Sequence, residues 1–289
     1  MNGLTDFEMI VLILAAAFGI FGFFRPEILL ELQKRVNSLI GVEYEYSGRT
    51  VIVVRLAMIF MVLLILFLVF FYSAEAVRAH IPLDTEGPAT RAQPIMIEDH
   101  KISWAAYNRL EQPGDVNYYR FEAGAGEEIY VSMMVPHLER LKDYSPDYAL
   151  IGPGLEDDMA GLDEEEIRSR LDIEEGEGAR VIRYTGPLGE EADTFFEHFT
   201  RTEYWRRQES TITAPETGTY FVAVFSGAEQ TGKYVLAVGR EERWGIGDIV
   251  RMPKIWWDVR MFMEEENSTY IVTGIVAAAG AYLAFRLLR

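Results

Sequence analysis

The sequence predicts a membrane protein built from three transmembrane α-helices and an extracellular antiparallel β-sandwich of jelly-roll-like form. Three observations carry that reading. Val51–Tyr72 is an almost unbroken apolar stretch of 22 residues, enough helix to rise roughly 33 Å across a hydrocarbon layer of about 30 Å. Phe7–Phe24 and Tyr270–Leu288 are apolar stretches of similar length. From Pro94 onward, apolar residues recur at every second position, the period of a strand with one buried face.

Residues 1–72 are expected to hold two spans joined by a short loop. Phe7–Phe24 reads as a span rather than a signal peptide, because Asp6 and Glu8 stand where a signal peptide needs basic residues. The loop Arg25–Thr50 carries Arg25, Lys34, Arg35 and Arg49, which places it on the cytoplasmic side. Within it Pro26 suits a first helical turn, and Ile28, Leu29, Leu32, Val36, Leu39 and Ile40 recur at helical spacing, so an amphipathic helix on the inner leaflet is expected. Arg55, near the start of the second span, snorkels to that interface.

Residues 73–93 read as a linker interrupted by Pro82, Gly87 and Pro88, and residues 94–243 as the sandwich, with an acidic insertion at 152–200. Residues 244–268 read as a juxtamembrane amphipathic helix with Trp244, Trp256 and Trp257 at the outer membrane interface, and 269–289 as the third span, its Arg286 and Arg289 inside. The expected setting is the plasma membrane, with the N-terminus and main domain outside and the C-terminus cytoplasmic. The lipid bilayer is then the first partner. Ala15 and Gly19, Gly274 and Ala278, and Gly280 and Ala284 each stand four apart, a spacing that favours close association of spans one and three, within a chain or between chains.

Charge narrows the partners. The 289 residues include 45 Asp and Glu against 27 Lys and Arg, a net charge of −18. Ser73–Ser268 alone carries 39 acidic and 20 basic residues, a net −19. Such a surface repels nucleic acid, so none is expected as a partner. Cysteine is absent, so the exported domain has to stand on its core or on metal ions rather than on disulfides.

Nine strands are expected, near Pro94–Glu98, Ser103–Arg109, Asn117–Ala123, Ile129–Val135, Tyr148–Ile151, Arg180–Tyr184, Tyr204–Ile212, Tyr220–Val224 and Tyr234–Val238. The runs Gly114–Phe121 (GDVNYYRF), Ala123–Gly126 (AGAG), Ala214–Tyr220 (APETGTY) and Gly232–Tyr234 (GKY) resemble the pattern of pre-peptidase C-terminal domains. That resemblance implies a jelly-roll-like sandwich in an extracellular setting with a binding or accessory role. The chain departs from the pattern at Asn117, where a second acidic residue is usual, and in its long insertion.

No catalytic motif stands out, so no enzyme is expected. Gly227–Lys233 matches G-x-x-x-x-G-K, but Tyr234 replaces the Mg²⁺-ligating Ser or Thr and a strand follows instead of a helix, so a hairpin turn is expected there. His198, Arg201, Tyr204, Trp205 and Arg207 form the most chemically dense stretch and are the candidates for a groove that binds sugars or carboxylates. Asp157, Asp158, Asp163 and Glu165 lie in the acidic insertion and are candidate calcium ligands, since Ca²⁺ takes six to eight oxygens. No other cofactor is expected. The functional expectation is a membrane-anchored extracellular binding or scaffold module, an accessory subunit of an envelope or membrane complex. A sensor or transporter accessory protein is one alternative, and a glycan-active enzyme with a carboxylate pair about 5–10 Å apart is the other.

Overall fold

The computed structural model describes residues 19, 21–23, 25–39, 48–58, 80–243 and 246–288. They fall into two units, Met1–Val77 with Tyr270–Arg289, and Arg78–Thr269.

In the second unit, β-branched and aromatic residues between Gly, Pro and Asp turns form eleven described strands. They are β1 (Ile81–Pro82), β2 (Ile95–Met96), β3 (Trp104–Leu110), β4 (Val116–Ala123), β5 (Glu128–Pro136), β6 (Asp147–Pro153), β7 (Glu177–Ile182), β8 (Thr194–Glu197), β9 (Thr202–Thr213), β10 (Gly218–Phe225) and β11 (Gly232–Val238). A six-stranded sheet runs β1-β3-β11-β5-β9-β8 and faces a five-stranded sheet of order β2-β4-β10-β6-β7. Pairing is antiparallel except for the parallel edge pairs β1·β3 and β2·β4, so the sandwich is mixed at its edges. Each of the nine expected segments overlaps a strand, although Pro94–Glu98 shrinks to the two residues of β2 and Arg180–Tyr184 overruns the end of β7 at Ile182. The two-residue β1 and the four-residue β8 were not expected, being too short to show a period. β10 and β11 lie in different sheets, so Gly227–Lys233 crosses between sheets and is no hairpin.

Tyr119, Phe121, Val131, Met133, Leu150, Val222, Val224, Leu236 and Val238 fill the space between the sheets. The quoted motifs meet there. Asn117 Nδ2 donates to the Tyr234 hydroxyl at 2.8 Å, and the Tyr119 and Tyr234 hydroxyls lie 2.9 Å apart. The Tyr220 hydroxyl donates to the Glu216 carbonyl at 2.7 Å. These residues satisfy buried polar groups and fix turns, a structural role.

Both outer faces are covered. The insertion carries helix α2 (Glu164–Arg170), and Met159, Ile167 and Leu171 bury Tyr118, Ile151, Val181 and Phe225 of the five-stranded sheet. A later helix, α3 (Ile246–Phe262), lays Ile255, Val259 and Phe262, with the following Met263, on Ala105, Met134, Tyr204, Val235 and Ala237 of the six-stranded sheet. The periodicity read as an outer-leaflet helix is therefore the face that meets a sheet. Trp256 and Trp257 are half-buried on α3, and Trp244 lies outside the described residues.

In the first unit, α1 (Pro26–Leu39) buries Pro26 and Leu30 and exposes Ile28, Leu32 and Val36. A Cβ on Gly22 would come within 2.6 Å of the Leu29 side chain and 2.9 Å of the Met58 side chain, so a larger residue there requires those side chains to shift. The last helix, α4 (Glu266–Leu288), begins in the second unit and ends in the first.

The expected three-span anchor is corrected, and with it the multi-pass plasma-membrane setting: among the described residues no helix is long and apolar enough to cross a membrane. Most of Phe7–Phe24 and of Val51–Tyr72 lies outside the described residues. The third expected span coincides with α4, whose described side chains through Ala278 begin with Glu266, Asn267, Ser268 and Thr269. Ser268 and Thr269 hydrogen-bond to an arginine of α3, so the first turn serves a polar corner. Ala15 lies outside the described residues, and among the described residues a Cβ on Gly274 would meet nothing within 4 Å.

Candidate functional site at the β8–β9 turn

β8 is the outermost strand of the six-stranded sheet and ends at Glu197, and residues 198–201 turn the chain back into β9. Glu197 locks the turn. Its Oε1 accepts the Phe199 N–H at 2.8 Å, and its Oε2 accepts the Thr200 N–H at 2.6 Å and the Thr200 hydroxyl. Hydrogen bonds to a carboxylate are stronger than neutral ones, so the turn holds Arg201 in a left-handed conformation, φ 55°, that non-glycine residues seldom adopt. His198 and Arg201 project into solvent, His198 edge-on to the exposed Phe196 at 5.2 Å. Among the described residues Arg201 has no ion-pair partner.

Beneath the turn the polar chain continues inward. The Thr200 and Thr202 hydroxyls are 2.7 Å apart, and Thr202 Oγ1 donates to the Tyr204 hydroxyl at 3.0 Å. Burial pushes the Tyr204 phenol up to about 12, so it stays protonated at neutral pH. On the other side the Thr200 carbonyl accepts from Arg260 Nη1 at 2.6 Å. Arg260 is 5% exposed and also reaches Thr269 Oγ1 at 2.9 Å and Ser268 Oγ. Trp256 covers its guanidinium at 5.0 Å.

A cavity of about 20 Å³ between the turn, α3 and β1 is lined by His80, Tyr107, Met134, Glu197, Tyr204 and Val259, among others, room for about one water molecule. His80 Nδ1 lies 2.5 Å from Ser103 Oγ, and desolvation pushes the imidazole down to about 4.

The sign of its effect on stability follows. Between pH 6.5 and about 4 the unfolded chain binds the proton that folded His80 refuses, so stability falls as pH falls through that window. At 1.36 kcal/mol per pKa unit the loss is at most about 3 kcal/mol. Glu264 acts lower. Hydrogen bonds from Arg140 and Lys233 hold its carboxyl down to about 2, so its contribution, present above pH 4.5, is lost as pH falls toward 2. Denaturant midpoints measured from pH 7 to 3 should therefore drop in two stages. His80→Gln should flatten the first, and an unchanged first stage would refute the assignment.

The five ligand candidates do not converge. Tyr204 and Trp205 are successive on β9 and face opposite ways, Tyr204 toward α3 and Trp205 into the inner core, stacked on His137 at 3.9 Å. Arg207 sits in a β-bulge, where Arg207 and Gln208 oppose Met133 alone. It donates to the carbonyls of Lys142, Tyr144 and Arg206 at 2.9–3.1 Å, which makes it a loop anchor. Only His198 and Arg201 remain available. Thr200 and Arg260 were missed as site residues in the sequence, and Glu197, which opens the dense stretch, was not among the candidates. The one signal was an acidic residue just before a turn.

The calcium candidates are likewise engaged. Asp157 accepts from Ala179 N at 2.8 Å and pairs with Arg168 at 2.9 Å. Asp158 accepts from Ala160 N at 3.0 Å, and Asp163 caps α2 through Glu166 N at 2.9 Å. Glu165 is exposed on the first turn of α2. Among the described residues no three His, Asp or Glu side chains come together as a metal site.

No family model matches the chain, and no curated protein matches it. Among solved structures, a match is the secreted protein MopE of Methylococcus capsulatus, described as binding copper with the help of an oxidised tryptophan. The identity is 13%, over 45% of this chain and 71% of that one, with a TM-score of 0.22. A likeness at that score carries no argument about fold or activity.

Proposed function

We propose that the chain is a β-sandwich binding or scaffold module without catalysis of its own, and that it engages its ligand at the β8–β9 turn. The observation that carries this reading is the locked turn: Glu197 fixes the backbone while Arg201 and His198 stay exposed, His198 edge-on to Phe196. A pre-set turn loses little entropy on binding, and strained backbone is often kept where it serves recognition. The resemblance to pre-peptidase C-terminal domains, carried by Gly114–Phe121 and Ala214–Tyr220, points to the same accessory role.

The chemistry narrows the ligand. A free guanidinium pairs best with a carboxylate, which it can hold by two parallel hydrogen bonds, and the exposed Phe196 ring just before the same turn suits the apolar face of a sugar. The net charge of −18 repels polyanions. A small ligand bearing one carboxylate, such as an acidic sugar, fits both conditions.

Titration of the full chain with glucuronate and with glucose, followed by NMR or calorimetry, tests this. Glucuronate should bind and glucose should not, and Arg201→Ala should weaken glucuronate binding about tenfold, or about 1.4 kcal/mol. Equal behaviour of the two sugars, or an Arg201→Ala protein that binds as well as the parent, would overturn the reading.

A further inference from the structure

We propose that the β8–β9 turn and the corner between α3 and α4 form one coupled element, so that what seats on the turn alters the order of the first turn of α4, and the reverse. The coupling deepens the reading of the turn as a contact surface, but its geometry stands without a ligand.

Thr200 joins the two sides. Its N–H and hydroxyl are both given to Glu197, and its carbonyl accepts from Arg260. Each polar group of this residue is thereby committed, two toward the turn and one toward the corner. Arg260 is 5% exposed, so water cannot readily replace a lost partner, and an unmet buried donor is costly. Its guanidinium is a rigid planar fork. A shift of the Thr200 carbonyl therefore tilts the whole group, and with it the bonds to Ser268 Oγ and to Thr269 Oγ1 at 2.9 Å. Thr269 also donates to the Glu265 carbonyl at 2.7 Å, which carries the disturbance into the helix start.

The corner has a second tie that bypasses the turn. Glu264, at φ 63°, accepts from Lys233 Nζ at 2.7 Å and pairs with Arg140. Loss of the Arg260 link should thus loosen the corner without detaching α3, which makes the coupling graded.

Coupling between two sites is reciprocal by thermodynamic necessity, and hydrogen exchange on the full chain can read both directions. Glu197→Ala should speed exchange about tenfold in 198–201 and also in 265–269. Arg260→Lys, which keeps the charge but loses the fork, should speed exchange in 265–269 and also in 198–201. Protection of β10 and β11 should stay unchanged, showing an intact sandwich. Should Glu197→Ala fail to fold, Glu197→Gln repeats the test with the side-chain size kept. Acceleration confined to the mutated side in either variant would overturn the coupling. Added glucuronate should slow exchange in 265–269 of the parent chain. If it binds and does not, the coupling fails, whereas absence of binding refutes only the ligand reading, because the variants report without it.

Discussion

Leu236→Ala is expected to destabilise the sandwich by about 2–5 kcal/mol, the range for a large core residue cut to alanine. Leu236 lies at the centre of β11, fully buried, with Met133 of β5 and Ala106 of β3 as its ladder partners. Its side chain enters the space between the sheets among Tyr119, Val131, Val222 and Val224. Hydrogen-bonded strands on both sides hold the backbone, so the walls cannot close on the space left behind, and the cost should fall toward the upper end. For a unit of this size each kcal/mol moves Tm by about 2–4 °C, so a fall of roughly 4–20 °C is expected, measured by thermal and denaturant unfolding with an unchanged m-value. Leu188→Ala, at a residue 41% exposed, should cost under about 0.5 kcal/mol. Equal effects of the two substitutions would contradict the assignment of β11 to the core.

Gly178→Ala is expected to be nearly as damaging, for a different reason. Gly178 on β7 stands opposite Gly152 on β6, at the neck where the insertion leaves and rejoins the five-stranded sheet. A Cβ on Gly178 would lie 1.7 Å from the Leu155 carbonyl oxygen, and one on Gly152 would lie 2.3 Å from the Tyr220 ring. The first obstacle is backbone, held in place by the Asp158 and Ala179 hydrogen bonds, so it cannot rotate aside. Relief requires the neck to open, which lifts Met159, Ile167 and Leu171 off Phe225 and Tyr118. A loss of about 2–4 kcal/mol follows from overpacking together with this uncovered surface, and protease should cut within 155–176 well before the sheets unfold. Gly176→Ala makes the comparison: φ is 90° there but a Cβ meets nothing within 4 Å, so only about 1 kcal/mol of backbone strain is expected. Cleavage of Gly178→Ala no faster than the parent would show that the neck yields without cost.

The sandwich was legible because strands leave a local trace. Ile129, Val131, Met133 and Val135 alternate in the sequence and all face the inner core, and the period of two needs no partner to be seen. The four-residue β8 left no such trace. The coverage of both outer faces was not legible: the period of two predicts one buried face for Tyr234–Val238, yet the strand is buried at every position, as its unbroken apolar run allows. What encloses it cannot be read from the run itself.

By itself the sequence determined where nine of the strands fall, the acidity and the amphipathic character of α3. Only the tertiary structure decided what those apolar faces meet, because periodicity records that a face avoids water and not which apolar surface replaces it. A helix face suited to lipid is equally suited to a sheet, and Ile255 and Val259 lie on β-strands. The same limit holds for the site. The density of Arg, His, Trp and Tyr after Glu197 was plain, yet the bulge at Arg207 and the alternation at Tyr204 and Trp205 sent these side chains to separate surroundings. Glu197, Thr200 and Arg260 act together because folding brings the turn beside a helix 60 residues away, a separation that no local pattern encodes.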